Sequence, residues 1–204
     1  MIIKTVIAGV YDENCYIAMD EATKEAVVMD PGGNADLIIN TIEKMGAKPK
    51  FILLTHGHFD HVGAVAELKD RYNIKSFISE EDENMIEKKE SAFGPLDKVD
   101  AYIKDGSIFK IGEINIRCIA TPGHTPGGMC FLIENSLFSG DTLFRESIGR
   151  SDFPGGSFSQ LVDGIKAKLM TLPDDIVVYP GHNASSTIGH ERLNNPFLGD
   201  MYAY

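Results

Sequence analysis

Five of the six histidines in this chain stand directly behind short apolar runs that read as β-strands. His56, His58 and His61 follow Phe51–Leu54, His124 follows the run that ends at Ala120, and His182 follows Ile176–Tyr179. Asp141 stands in the same way behind Leu137–Ser139. Loops at strand ends can change without disturbing the core, which is why α/β sheets carry their sites there. Four strand ends that present imidazole or carboxylate groups toward one edge restrict the chain to folds in which those ends converge.

The rest of the apolar pattern is consistent with this. Three short runs, Ile2–Ile7, Cys15–Ala18 and Ala26–Met29, are separated by turn-like segments and predict an opening meander of strands. Leu37, Ile38, Ile42 and Met45 recur at helical spacing up to Gly46. A buried strand at Phe51–Leu54, a helix containing Val62, Val65, Ala66 and Leu68, a strand at Ile74–Ile78 and a polar helix from Glu80 to about Lys89 continue the alternation. Ser91–Asp105 reads as irregular. Ser107–Ile111, Glu113–Ala120, Met129–Ile133 and Leu137–Ser139 form a second strand-rich block. Ser157 and Gln160 make a capping box for a helix that Pro173 ends, and a last helix contains His190 to Leu193. Two βα-rich halves, each opening with a meander, predict an α/β fold of two sheets packed face to face with helices outside. No repeat or linker divides the chain, so residues 1–204 are expected to form one domain.

Charge and composition exclude several functions. Nineteen Lys and Arg against thirty Asp and Glu give a net charge of −11, which repels a phosphate backbone, so no nucleic-acid partner is expected. No apolar run approaches the roughly 20 residues that span a bilayer, and the N-terminus has no signal-peptide pattern. Cys15, Cys118 and Cys130 form no C-x-x-C pair and read as small buried hydrophobes, which fits a cytoplasmic protein.

Within Thr55–His61 the order H-x-H-x-D-H places four donors in six residues, and Gly57 lets the backbone turn between the first two. Together with His124, Asp141 and His182 they make seven candidate metal ligands: His56, His58, Asp60, His61, His124, Asp141 and His182. One ion takes about four or five donors, so two divalent ions are expected, with Asp141 as the natural bridge. Asp60 and Asp141 are the candidate catalytic carboxylates. Imidazole and carboxylate without thiolate suit zinc, iron or manganese, and the donor set does not choose among them; zinc is the first expectation. Asp30, in Asp-Pro-Gly-Gly, is either a turn maker or a partner of a metal ligand. His190 reads as a surface residue.

These residues resemble the hallmark T-H-x-H-x-D-H of the metallo-β-lactamase superfamily. The resemblance extends through DPGG at 30–33, TPGHTPGG at 121–128, GDTLFRESIGRSDFPGG at 140–156 and YPGHNASSTIGHERLNNPFL at 179–198. The last two runs look like the compact glyoxalase II-like (hydroxyacylglutathione hydrolase-like) enzymes. The resemblance implies an αββα four-layer sandwich with a dinuclear site at one edge of the two mixed sheets. It also implies that His56, His58 and His124 hold one ion, that Asp60, His61 and His182 hold the other, and that Asp141 bridges them. Glyoxalase II continues into a helical region that helps bind glutathione, and this chain stops at Tyr204, so the thiol carrier stays open. The persulfide dioxygenases share a similar Gly-Arg-x-Asp-Phe run.

Paired cations lower the pKa of a shared water from 15.7 to roughly 7 and polarise a carbonyl. A thiolate, with a parent pKa of about 8.5, leaves with little proton assistance, whereas an amide nitrogen needs a positioned acid. A small acyl thioester is therefore the expected substrate, with lactone hydrolysis and iron-dependent persulfide oxygenation as alternatives. The segment 142–156 starts at the bridging carboxylate and reads as a loop that walls the substrate pocket. Phe144 and Phe153 would offer apolar contact, and Arg150 would either meet an anionic substrate or tie the loop to Asp152.

Overall fold

The computed structural model describes residues 1–97 and 99–199. The opening meander is β1 (Ile2–Ala8), β2 (Glu13–Met19) and β3 (Glu25–Met29), followed by α1 (Ala35–Met45) and β4 (Lys48–Leu53). Where the apolar spacing predicts one helix, the chain makes two, α2 (Phe59–Val62) and α3 (Val65–Tyr72). Ala64 breaks them apart because its N–H leaves the helix to donate to Pro31 O at 2.9 Å. β5 (Lys75–Ile78) and α4 (Glu80–Glu87) follow as expected. The segment read as irregular contains a short strand, β6 (Ala101–Tyr102), paired with β5.

The second half runs β7 (Ile108–Ile111), β8 (Ile114–Ala120), β9 (Met129–Ile133) and β10 (Ser136–Gly140). The segment 142–156, expected to lack strands, holds a small hairpin of β11 (Leu143–Phe144) and β12 (Ser147–Ile148). Then come α5 (Phe158–Gly164), a π-helical turn at Ile165–Leu169, β13 (Val177–Pro180), β14 (Ser186–Thr187) and α6 (Ile188–Asn194). Only half of the expected capping box forms. Ser157 Oγ accepts from Gln160 N, but the Ser157 N–H donates to Gly123 O at 2.7 Å instead of to the glutamine side chain. No helix among the described residues is long and apolar enough to cross a membrane.

The strands form two six-stranded sheets, ordered β1-β2-β3-β4-β5-β6 and β14-β13-β10-β9-β8-β7. Both are mixed: β3, β4, β5 and β6 run parallel in the first, and β10 and β13 in the second. Alternation along each strand sorts side chains into layers. On β2, Tyr16 and Ala18 face the second sheet, while Cys15, Ile17 and Met19 face the helices α1 and α3. On the neighbours β8 and β9, Cys118 and Phe131 face inward, whereas Ile119 and Cys130 face α5. Cys118 and Cys130 therefore lie on opposite faces of one sheet, each as a small buried hydrophobe. The result is the four-layer αββα sandwich.

At one edge the two sheets are also joined by hydrogen bonds. Asn14 N donates to Gly181 O at 2.7 Å, Tyr16 Oη to Pro180 O at 2.7 Å, and Met129 N to Thr55 O at 2.8 Å. Every histidine-bearing loop leaves from this edge. Phe131, fully buried between the sheets, should lose about 3–5 kcal/mol of stability on substitution by alanine. Ile108→Ala on the edge strand β7, where the side chain is 67% exposed, should change it by about 0.5 kcal/mol or less. Denaturant unfolding of the two variants checks the contrast, and equal losses would contradict the layer assignment.

Candidate metal centre

Strand β4 ends at Leu53, and the chain then turns through Thr55–Gly57 into the single-turn helix α2, for which His58 is the N-cap residue. This turn places His56 and His58 on the loop and Asp60 and His61 on the helix. A short flanking segment holds it in place: Phe59 N donates to Ala92 O at 3.0 Å, and Gly94 N to Gly57 O at 3.1 Å. His124 leaves from the end of β8, Asp141 from β10 and His182 from β13. A β-carbon at Gly181 would lie 2.4 Å from Asp141 Oδ1 and 2.7 Å from His61 Cε1, so only glycine lets β13 approach this closely.

Two groups of donors form. His56, His58 and His124 make one, and Asp60, His61 and His182 make the other. Asp141 lies between them, 3.5 Å from His61 Nε2, 3.6 Å from His124 Nε2 and 3.9 Å from His182 Nε2. His182 Nε2 is 3.4 Å from Asp60 Oδ2. Donors that sit about 2.0–2.1 Å from one tetrahedral ion are roughly 3.3–3.4 Å apart, close to these separations.

The outer nitrogens of four of the five rings are already engaged. His61 Nδ1 donates to Asp30 Oδ2 at 3.1 Å, and His56 Nδ1 donates to Thr55 Oγ1 at 3.0 Å, which in turn donates to Asp30 Oδ2. His124 Nδ1 donates to Arg150 O at 2.7 Å, and His182 Nδ1 donates to Tyr11 O at 3.2 Å. Such bonds fix the tautomer and leave Nε2 as a lone-pair donor. His56 Nε2, His61 Nε2 and Asp141 Oδ1 are buried without a hydrogen-bond partner, while His58 turns its Nδ1 to the centre, 3.0 Å from His124 Nε2. Orphaned acceptors of this kind are costly, and three in one place fit a centre built for cations. Asp30 has a third group within reach, with His56 and His61. Its oxygens are taken by Thr55 and His61, so it supports ligands while also forming the turn, with φ at 49°.

The electrostatics suit ligation most directly in the first group, whereas in the second burial disfavours charge on His61 but Asp141 and Asp30 outweigh it and raise its imidazole well above the usual range. Burial pushes the His56 imidazole well below its usual range, and burial with the nearby His124 brings His58 down to about 3, so both rings are neutral at neutral pH. Asp141 is buried, which favours its neutral form, but His61 and His124 outweigh that and hold it well below the usual carboxylate range. Asp60 raises His182.

The pocket over the centre has a volume of about 370 Å³ and is lined by Tyr11, Phe59, Ala92, Arg150 and Phe153 beside the donors. A larger groove of about 590 Å³ behind α2 holds none of the seven. Arg150 lines the pocket while making two 2.7 Å bonds to Asp152 and stacking 3.9 Å from the centre of the Phe153 ring. Phe144 does not line it. The residue sits in the hairpin, on β11 opposite Ser147. Sequence reasoning misses Tyr11 and Phe59, which meet edge to face 5.4 Å apart at the rim, and Glu13, a buried carboxyl 3.9 Å from His61 Nδ1. Burial pushes that carboxyl well above its usual range.

A family model described as the metallo-beta-lactamase superfamily matches residues 8–182. A protein of Haemophilus influenzae named hydroxyacylglutathione hydrolase GloC is 37% identical over 97% of this chain and 98% of its own length. The crystal structure of the BLEG-1 B3 metallo-beta-lactamase superposes with a TM-score of 0.88 at 33% identity, covering 97% of this chain and 99% of that one. The structure of TTHA1623 in a di-iron-bound form gives 0.84 at 33% identity, covering 96% and 100%.

Asp141 lies between both groups, so Asp141→Ala should lose both ions. His190, which pairs with Glu146 at 2.9 Å away from the centre, should keep them as His190→Ala. Elemental analysis of the two purified variants checks this, and equal metal losses would refute the grouping.

Proposed function

The chain belongs to the metallo-beta-lactamase superfamily, and on that premise we propose that it is a metal-dependent hydrolase of small acyl thioesters, working with two divalent ions, zinc first among them. The observation that carries this reading is the composition of the pocket. Its donors can hold two cations, its remaining walls are largely apolar, and among the described residues no carboxyl lines it other than the donors Asp60 and Asp141. When bound, such ions activate a water and polarise the carbonyl under attack.

The chain's own residues supply the rest. Asp30 and Thr55 keep His56 and His61 in the tautomer that presents Nε2. Asp60 and Asp141 are the carboxylates nearest to where the reacting carbonyl would sit, and their charge balances the cations. Tyr11, Phe59, Ala92 and Phe153 shield the acyl group from bulk water. Outside the donor set, the polar side chains of the wall are Arg150, which does not give up its proton, and Tyr11, which is 58% exposed. Neither is a held acid for a nitrogen leaving group, and a thiolate needs none. The similarity to a protein named as a hydroxyacylglutathione hydrolase supports the thioester reading. The three free thiols, all buried, accord with a cytoplasmic location.

Turnover of a panel containing a hydroxyacyl-glutathione, an uncharged thioester, a lactone and a β-lactam tests the reaction. The thioesters should exceed the β-lactam by at least about 100-fold in kcat/KM, the scale of one missing general acid. The related di-iron form favours iron as the second reading of the metal, so elemental analysis and oxygen uptake with a persulfide belong in the same experiment. Oxygen consumption without thioester cleavage would replace the hydrolase reading. Arg150→Ala should raise KM for the anionic thioester with kcat and melting temperature unchanged, because an exposed ion pair stabilises little and uniform substrate binding is what is removed. A lowered melting temperature with KM unchanged would assign Arg150 to the loop alone.

A further inference from the structure

We propose that Asp82 is a positioning residue of the metal centre: from α4, which carries no donor of the site, its two carboxylate oxygens hold the two backbone segments that present His56, His58 and His124. Oδ2 accepts from the N–H of Gly57, between His56 and His58, at 2.9 Å. Oδ1 accepts from the N–H of Gly127, three residues after His124, at 2.7 Å. The side chain is fully buried, and its own backbone is anchored because the Asp82 N–H donates to the N-cap Ser79 Oγ at 3.3 Å.

The fit between α4 and the two loops is close. A β-carbon at Gly127 would come within 1.8 Å of Ser79 Oγ and 2.8 Å of Asp82 Oδ1, so the Thr125–Gly128 turn docks directly on the first turn of the helix. A β-carbon at Gly57 would lie 3.0 Å from Ile86 Cδ1, one turn further along. The Met129 N to Thr55 O bond sets the spacing of the strands beneath, while Asp82 acts on the loops beyond their ends. Both of its arms end on donors, and only a carboxylate offers two acceptor oxygens and no donor. Asparagine has the same shape but turns one arm into a donor facing a donor. The adjacent Glu83 is also buried but faces the other way, accepting from Val99 N at 3.1 Å and from Tyr102 Oη. It is a built-in control for simple loss of a buried carboxylate.

This inference rests on the metal-centre reading and not on the choice of substrate. The test is zinc retention against a competing chelator, together with the visible spectrum of the cobalt-loaded chain, in wild type, Asp82→Asn and Glu83→Gln. Asp82→Asn should loosen one of the two ions by about 10–100-fold and change the cobalt spectrum, the scale seen when support of a metal ligand is removed. Glu83→Gln should lower the melting temperature as much or more while holding both ions as the wild type does. A wild-type chelator profile in Asp82→Asn, or an equal loss in Glu83→Gln, overturns the proposal. Should Asp82→Asn fail to fold, hydrogen exchange in the wild-type apoprotein decides. Gly57 and Gly127 amides protected well above open-loop rates support the clamp, and exchange at open-loop rates overturns it. A wild-type chain that cleaves no thioester yet holds two ions sinks the hydrolase reading alone, whereas one that takes up no ion sinks both.

Discussion

Phe131 and Phe138 of one sheet pack with Val27 and Leu53 of the other in one apolar layer, where a polar group without a partner is costly, so the donors and acceptors of the site gather at the strand termini on its rim. Packing the sheets face to face brings the ends of β4, β8, β10 and β13 to the same rim. The Asn14, Tyr16 and Thr55 hydrogen bonds then keep the sheets from splaying there. The site needs no long-range adjustment of its own, because its donors ride on strands whose separation the core has already fixed.

That placement opposes stability. A buried ring nitrogen or carboxylate oxygen without a partner costs about 1–3 kcal/mol, and several are gathered within a few ångströms. Asp30 and Thr55 meet part of the cost by satisfying the outer nitrogens of His56 and His61, and the arrangement keeps the inner ones open. The edge is thus tuned for ligation at the expense of local stability, a common pattern where a fold carries chemistry.

Much of this was legible in the residues because its signals are local. The strand before Thr55, the turn at Gly57 and the four donors of Thr55–His61 lie within eleven residues, and His124, Asp141 and His182 each repeat the strand-then-donor pattern. Strands of two residues have no period to read, so β6, β11, β12 and β14 were invisible. Asp82 and Glu13 act on loops 25 to 48 residues away in sequence, and nothing in their neighbours marks them. Phe144 misled for the opposite reason: it is three residues from Asp141 in the chain, but it lies in a tight hairpin and does not line the pocket. Half of the capping box at Ser157 failed because a tertiary acceptor, Gly123 O, outcompeted a side chain for one N–H.

Each donor group draws on both sheets. His56 and His58 come from the first and His124 from the second, while Asp60 and His61 come from the first and His182 from the second. An ion in either group is therefore a cross-link between the two halves of the chain, closing a loop of more than sixty residues without a covalent bond. Mass action governs a cross-link of this kind: at a free ion concentration 100 times Kd it adds about 2.7 kcal/mol per site, and at vanishing concentration nothing. With ions bound in this way, the folded population of the chain would be tied to the metal supply around it, and starvation for the ion would be felt first at the seam between the sheets.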